Sequence, residues 1–340
     1  MSHKKLLTLA ACLFFAALSS ICPAKEPQQK ESATPMDSET TAFLETFGAF
    51  FDSIKHLPIA EQRATLAKAP KHKVSEMEPI AKTEDKAIPG RNGPINIRLY
   101  SPKTEGPLPI IVYYHGGGWV YGSLDNSEAF CRRLSNHTGA LVASIEYRLS
   151  PEHKFPIPLH DCYDATKWVA ENASTLQGNP NKLIVCGDSA GGNLAAAVAL
   201  MNQEKKLFPI AGQLLIYPVL TTDLEKQYYD ESLDKRLISY ENMQFFIDAY
   251  LSSPEDGKNP YAAPLKAKNL SNLPSCFVMT AEYDALKYEG ARYKAALSKA
   301  GTKAQYKCYN GVIHGFLSFP PAEAARAEAM DDIKAWVDGF

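Results

Sequence analysis

Ser189 sits among small residues in Gly187-Asp188-Ser189-Ala190-Gly191-Gly192, directly after the apolar run Lys182 to Cys186 and before the alanine-rich stretch Asn193 to Met201. A serine hydroxyl becomes a nucleophile when a base removes its proton and an acid orients that base. At the tip of a sharp strand-to-helix turn it also needs nearly side-chain-free residues two positions to either side, which Gly187 and Gly191 supply. Alone, G-x-S-x-G arises by chance in roughly one in ten chains of this length. A second glycine turn adds weight: His115-Gly116-Gly117-Gly118-Trp119 follows the strand-like run Leu108 to Tyr114. Consecutive glycines let backbone amides face a cavity without Cβ obstruction, the arrangement that stabilises the oxyanion of acyl transfer. A preset H-G-G-G string is expected in roughly one of several hundred such chains. Phosphate and dinucleotide loops need G-K-[ST] or G-x-G-x-x-G, and neither pattern occurs.

The base and its acid must come from downstream. His314, in Gly311-Val312-Ile313-His314-Gly315-Phe316, follows the run Gln305 to Tyr309, and no other histidine lies C-terminal to Ser189. Asp284, in Ala281-Glu282-Tyr283-Asp284-Ala285-Leu286, follows the run Cys276 to Ala281, at the carboxyl end of a strand where open sheets place their chemistry. Glu282 competes with it as the acid. The order serine, acid, histidine is the α/β-hydrolase order. His137, His153 and His160 read as structural, and His115 as a hydrogen-bonding anchor of its own glycine loop.

Stepping these groups to one edge requires buried strands. The runs Leu108 to Tyr114, Ala140 to Tyr147, Lys182 to Cys186, Gln213 to Val219, Cys276 to Ala281 and Gln305 to Tyr309 alternate with helical segments, a pattern of parallel strands covered on both faces. Glu76 to Ala87 and Ile95 to Tyr100 flank the turn Pro89 to Pro94 and predict an antiparallel hairpin at one sheet edge. Met330, Ile333, Trp336, Val337 and Phe340 recur at helical spacing and predict a C-terminal helix packed on the sheet. Near the other end, Asp37 or Ser38 caps a helix with Phe43, Leu44, Phe47, Phe50, Phe51 and Ile54 on one face; Pro58 ends it and opens a second short helix to Ala69. That aromatic face either packs as core or roofs a substrate pocket. The polar insertion from Thr221 to Leu273, with a helix near Asn242 to Leu251, supplies the other half of a cap.

On these residues the sequence resembles the hormone-sensitive lipase family of esterases, the bacterial family IV carboxylesterases, over roughly Ser38 to Phe340. Besides HGGGW and GDSAGGN, Tyr147-Arg148-Leu149-Ser150-Pro151-Glu152 is similar to the family's Y-R-L-A-P-E, and Phe155-Pro156, Leu159, Asp161-Cys162-Tyr163 and Trp168 continue the match. The resemblance implies an eight-stranded, mostly parallel sheet flanked by helices, an N-terminal cap and a preference for short acyl esters. It implies Ser189 as nucleophile, His314 as base and Asp284 as acid, with the amides of Gly117, Gly118 and Ala190 as oxyanion hole. Ser150 replaces the family's usual alanine, and Ala285 stands where members carry proline. Arg148 and Glu152 read as a structural ion pair.

The leading function is therefore a serine carboxylic-ester hydrolase working through an acyl-enzyme, without cofactor or metal. The alternatives are a small-molecule receptor on the same scaffold, which the presence of His314 disfavours, and hydrolysis of lactones, acetylated sugars, carbamates or amides. Composition fits a globular enzyme, with 45% hydrophobic and 22% charged residues in 340 and a net charge of −2. No basic excess points to nucleic acid. Lys4 and Lys5, the apolar run Leu6 to Leu18 and small residues ending at Ala24 predict a signal peptide over 1–24, too short to span a bilayer stably. A flexible tether over 25–36, cap helices over 37–70 and a hydrolase domain over 71–340 with the 221–273 insertion complete the organisation. The chain is expected to be exported to the periplasm or beyond the cell, with a small-molecule ester as its partner, no stable membrane span in the mature protein and a homodimer left open. None of the seven cysteines forms a C-x-x-C pair, and the five outside the leader are expected to be free thiols.

Overall fold

Side chains of Leu108–Tyr114 alternate between two cores, Ile110, Val112 and Tyr114 entering one and Ile111 and Tyr113 the other. Such a strand must be covered on both faces. In the computed structural model, which describes residues 36, 38–68, 77–231, 237–319 and 322–340, it lies inside an eight-stranded sheet. The strands are β1 (Lys82–Ile88), β2 (Ile95–Ser101), β3 (Leu108–Tyr114), β4 (Leu141–Glu146), β5 (Gly178–Asp188), β6 (Gly212–Ile216), β7 (Ser275–Ala281) and β8 (Ala304–Tyr309). Their spatial order is β1-β2-β4-β3-β5-β6-β7-β8. The first two strands pair as an antiparallel hairpin, β2 runs antiparallel to β4, and every later pairing is parallel.

The helices are α1 (Ser38–Ile54), α2 (Ile59–Lys68), α3 (Leu124–Thr138), α4 (Ile157–Glu171), α5 (Ala190–Lys205), α6 (Lys226–Glu231), α7 (Tyr240–Tyr250), α8 (Lys287–Lys299) and α9 (Glu323–Val337). Phe130 and Leu134 of α3 join Met330, Ile333 and Trp336 of α9 on one face of the sheet. On the other, α4, α5 and α8 contribute Leu159, Leu194, Val198, Tyr293 and Leu297. From Ala190 to Asn202 every residue of α5 is buried. Its alanines explain why: only methyl-sized side chains let a helix sit flush against a sheet while other helices cover its back.

The strand expectations hold in type and order but shift at their ends. The hairpin's first strand begins at Lys82, and Glu76 lies outside the described residues. β6 stops at Ile216 rather than Val219, because Tyr217 adopts φ 33° while its amide stays tied to the Met279 carbonyl at 2.6 Å. β5 starts earlier, at Gly178, than its apolar run. Arg148 and Glu152 do not pair. The segment between them is a turn, so residues four apart do not share a face; Arg148 bonds the fully buried Asp161 at 2.5 Å and Glu152 bonds Arg63 at 2.8 Å. Cys131, Cys162, Cys186, Cys276 and Cys308 are free thiols, the first two on helices and the last three on strands. The expected leader over 1–24 and the tether lie outside the described residues, save Met36. Among the described residues no helix is long and apolar enough to cross a membrane.

Candidate active site

Between β5 and α5 the chain reverses at Ser189, which adopts φ 55° and ψ −119°. A residue with a Cβ rarely takes this conformation, so the surroundings must hold it. They do: the Ser189 amide donates to the Ile216 carbonyl at 2.9 Å, and the Ser189 carbonyl accepts from the Val219 amide at 3.2 Å. A Cβ on Gly187 would strike the Gly191 carbonyl, and one on Gly191 would strike the carbonyl of Tyr114. The small flanking residues are thus a packing requirement of the elbow.

His314 arrives on the loop after β8 and Asp284 on the loop after β7. Asp284 is fully buried, and its Oδ2 lies 2.6 Å from His314 Nδ1. A carboxylate can only accept, so Nδ1 carries the proton and Nε2 is left to accept from the Ser189 hydroxyl, 2.9 Å away. The other carboxylate oxygen accepts from the Leu286 amide at 2.9 Å. Glu282, the competing acid, takes another task. Its Oε2 accepts from the Gly311 amide at 2.6 Å, fastening the two loops together near their strand ends. Ser189 and His314 are 8% and 6% exposed, so the pair is nearly closed off from solvent.

The glycine turn after β3 lies against the elbow. Gly118 adopts φ 62° and Trp119 φ 60°, and a Cβ on Gly118 would run into the ring of Phe246 from α7. Trp119 is held by stacking on Tyr250 at 4.2 Å. Among the described residues, none accepts a hydrogen bond from the amides of Gly117, Gly118 or Ala190. Ala190 opens α5, so its amide is one of the donors a helix start leaves free for an anion. Gly116 has a different role from its neighbours: its amide donates to Asp188 Oδ1 at 2.8 Å, and Tyr113 donates to the same oxygen at 2.5 Å. Burial raises the Asp188 carboxyl above its ordinary value.

His115 is tied back onto its own loop. Its Nδ1 lies 2.8 Å from the Gly116 carbonyl, its ring stacks on Tyr147 at 4.3 Å, and burial lowers its pKa, which keeps it neutral. Tyr147 donates to the His115 carbonyl at 2.7 Å. His137 bonds Asp331 at 2.8 Å, remote in sequence from the site. Among the described residues no group of three or more histidines, cysteines and carboxylates is placed to hold a metal.

Aromatic side chains of α1 pack against the loop that carries His314. From α1, Phe43 and Phe47 pack on Phe319 at 5.5 and 5.6 Å, and Phe51 meets Tyr121 edge-on at 6.0 Å. Phe319 sits where a Cβ on Gly315, the neighbour of His314, would be. Leu44 packs with Tyr283 and Ile313, each adjacent to a member of the hydrogen-bonded trio. Sequence reasoning missed Asp188, Phe246, Phe319 and Arg63. Asp188 lies inside the G-x-S-x-G string, but nothing in the string says which way its carboxylate turns.

Comparison with known proteins gives a consistent picture. The Abhydrolase_3 profile, described as the α/β-hydrolase fold, matches residues 111–318. The carboxylesterase NlhH of Mycobacterium tuberculosis is 33% identical over 301 residues, covering 86% of this chain and 92% of the relative. An ethyl acetate hydrolase of Pseudomonas putida is 32% identical, with coverage of 68% and 75%. A hyperthermophilic esterase from the archaeon Pyrobaculum calidifontis superposes with a TM-score of 0.81 at 38% identity, over 90% of this chain and 99% of that one.

Proposed function

We propose, for a chain that belongs to the hormone-sensitive lipase family of α/β-hydrolase-fold carboxylesterases, that its substrates are short-acyl-chain esters and that Ser189, His314 and Asp284 carry the reaction. The carrying observation is the unbroken line from Asp284 through His314 to Ser189, at 2.6 and 2.9 Å. Ser189 Oγ attacks the ester carbonyl while His314 Nε2 takes its proton. The carbonyl oxygen, now negative, receives the amides of Gly117, Gly118 and Ala190. His314 then hands its proton to the departing alkoxide, leaving an acyl-serine. Water, deprotonated by the same nitrogen, attacks that acyl group; the acyl–Oγ bond breaks, His314 returns the proton to Ser189 Oγ and the acid leaves. Asp284 keeps the imidazole in the right tautomer and stabilises its protonated form.

The short-chain preference rests on the wall formed by α1, α7 and Phe319, which we assign to a cap built from 37–70 and the 221–273 insertion. A relative whose name is ethyl acetate hydrolase agrees with it. Each buried acyl CH₂ contributes ~0.8 kcal/mol, so kcat/KM for p-nitrophenyl esters should rise from acetate to butyrate and decline by about octanoate. A rise that continues to palmitate would remove the short-chain reading. No hydrolysis of any ester in the series would remove the catalytic assignment too.

Export is inferred from Lys4, Lys5, the run Leu6 to Leu18 and the small residues before Lys25. Amino-terminal sequencing of protein recovered from outside the cytoplasm should begin at or near Lys25, and a soluble chain still starting at Met1 would defeat it.

A further inference from the structure

We propose that Arg63 of α2 is a positioning residue for the oxyanion donors, clamping the far end of the glycine turn to the segment Ser150 to Glu152. Four of its five N–H donors are engaged. Nε donates to the Val120 carbonyl at 2.8 Å and Nη2 to the Ser150 carbonyl at 2.6 Å, while Nη1 and Nη2 grip both oxygens of Glu152 at 2.8 and 2.9 Å. Arg63 also holds the Glu152 carboxyl below its ordinary value. These acceptors lie on two separate pieces of chain that already touch, since the Ser150 amide donates to the Trp119 carbonyl at 2.9 Å. The planar fork of arginine matches a carboxylate and two carbonyls at once, which a lysine ammonium cannot do.

Position makes this more than an anchor for α2. The amides of Val120 and Tyr121 both donate to the Gly117 carbonyl, at 3.1 and 2.8 Å, so the 117–121 turn moves as one piece. Gly118 and Trp119 within it stand at φ 62° and 60°, and consecutive residues there, one of them a tryptophan, persist only under outside restraint. Asp188 fixes the turn at Gly116, and Arg63 fixes it at Val120. The preceding residue of α2 reinforces the hold: Tyr121 donates to Gln62, which is 3% exposed and donates in turn to the Leu57 carbonyl at 2.7 Å. The Gly117 and Gly118 amides therefore sit between two clamps, one from the elbow and one from α2.

The inference rests on the oxyanion assignment above, and the test separates the two. Full-length Arg63→Met, Arg63→Lys and Glu152→Gln are compared with the parent in kcat and KM for p-nitrophenyl acetate, in inhibition by phenylboronic acid and in thermal midpoint. A boronate adduct on serine mimics the tetrahedral intermediate, so its affinity reads the oxyanion donors while KM reads ground-state binding. Since removing one donor outright costs about 10²–10³ in kcat, loosening two should cost Arg63→Met about tenfold or more. Boronate affinity should fall in parallel, with KM changed less than about threefold. Arg63→Lys should lie between, and Glu152→Gln should lose less because the carbonyl contacts remain. If Arg63→Met melts earlier but keeps kcat and boronate affinity within about twofold, Arg63 merely anchors α2 and the proposal fails. Should Arg63→Met not fold, the same parallel loss is required of Arg63→Lys, and its absence overturns the proposal. A parent enzyme that hydrolyses the ester yet does not bind boronate would instead refute the oxyanion assignment and this inference with it.

Discussion

Asp188 Oδ1 accepts the Gly116 amide at 2.8 Å, so the residue before Ser189 holds the turn whose Gly117 and Gly118 amides we assign to the oxyanion. Two loops 72 residues apart are registered by one half-buried carboxylate. Asp188→Ala would leave the Gly116 amide and the Tyr113 hydroxyl without their acceptor, each worth about 1–3 kcal/mol when buried. We expect denaturant unfolding to report a loss of that order, and kcat to fall more than KM rises. Unchanged kcat in a stably folded variant would mean that the turn holds its shape without Asp188.

Asp284→Asn should reduce kcat by about 10⁴, since an amide no longer fixes the productive imidazole tautomer. Glu282→Gln should leave kcat within a few-fold and cost about 1 kcal/mol through its bond to Gly311. Ser189→Ala should abolish turnover without loss of fold. Steady-state kinetics on the three purified variants decides the matter, and the acid is misassigned if the glutamine variant is the crippled one.

Glu289 lies buried behind the site and accepts from the Leu220 and Thr221 amides at 2.6 and 3.1 Å. Burial pushes its carboxyl from 4.5 up to about 8, with the nearby Asp284 adding to the rise. The folded chain thus holds this proton more tightly than the unfolded one. The cost is absent below the unfolded value, grows as pH rises between the two values and is constant above the folded one. Glu289→Gln keeps an acceptor and removes the cost. Its stability relative to the parent should increase from pH 5 to pH 8, by up to ~1.4 kcal/mol per pH unit, as read from urea midpoints; a difference that stays flat would show that Glu289 ionises normally.

Phe47 sits between Phe43, Phe51 and Phe319, with ring centroids 5.7, 6.4 and 5.6 Å away. If this stack bounds the acyl site, Phe47→Ala should raise octanoate relative to butyrate in kcat/KM by about an order of magnitude, the worth of one or two buried CH₂ groups. Acetate turnover should change little. A variant with the parent's chain-length profile and a lower thermal midpoint would show that the stripe is ordinary core.

Local chemistry made much of this protein legible in its sequence. Only glycine fits at 187 and 191 beneath a serine elbow, and short β-branched apolar runs alternating with helical segments fit strands buried on both faces, so the motif strings and the parallel sheet announce themselves. The choice between Asp284 and Glu282 was different. Both carboxylates follow the same strand, two residues apart, and only the turn that sends one toward His314 and the other toward the Gly311 amide separates them. Arg63 and Glu152 are 89 positions apart in a chain whose intervening path no spacing rule encodes. Periodicity reports which face of an element is apolar, whereas long-range polar pairing depends on where distant loops come to rest, and tertiary packing alone fixes that.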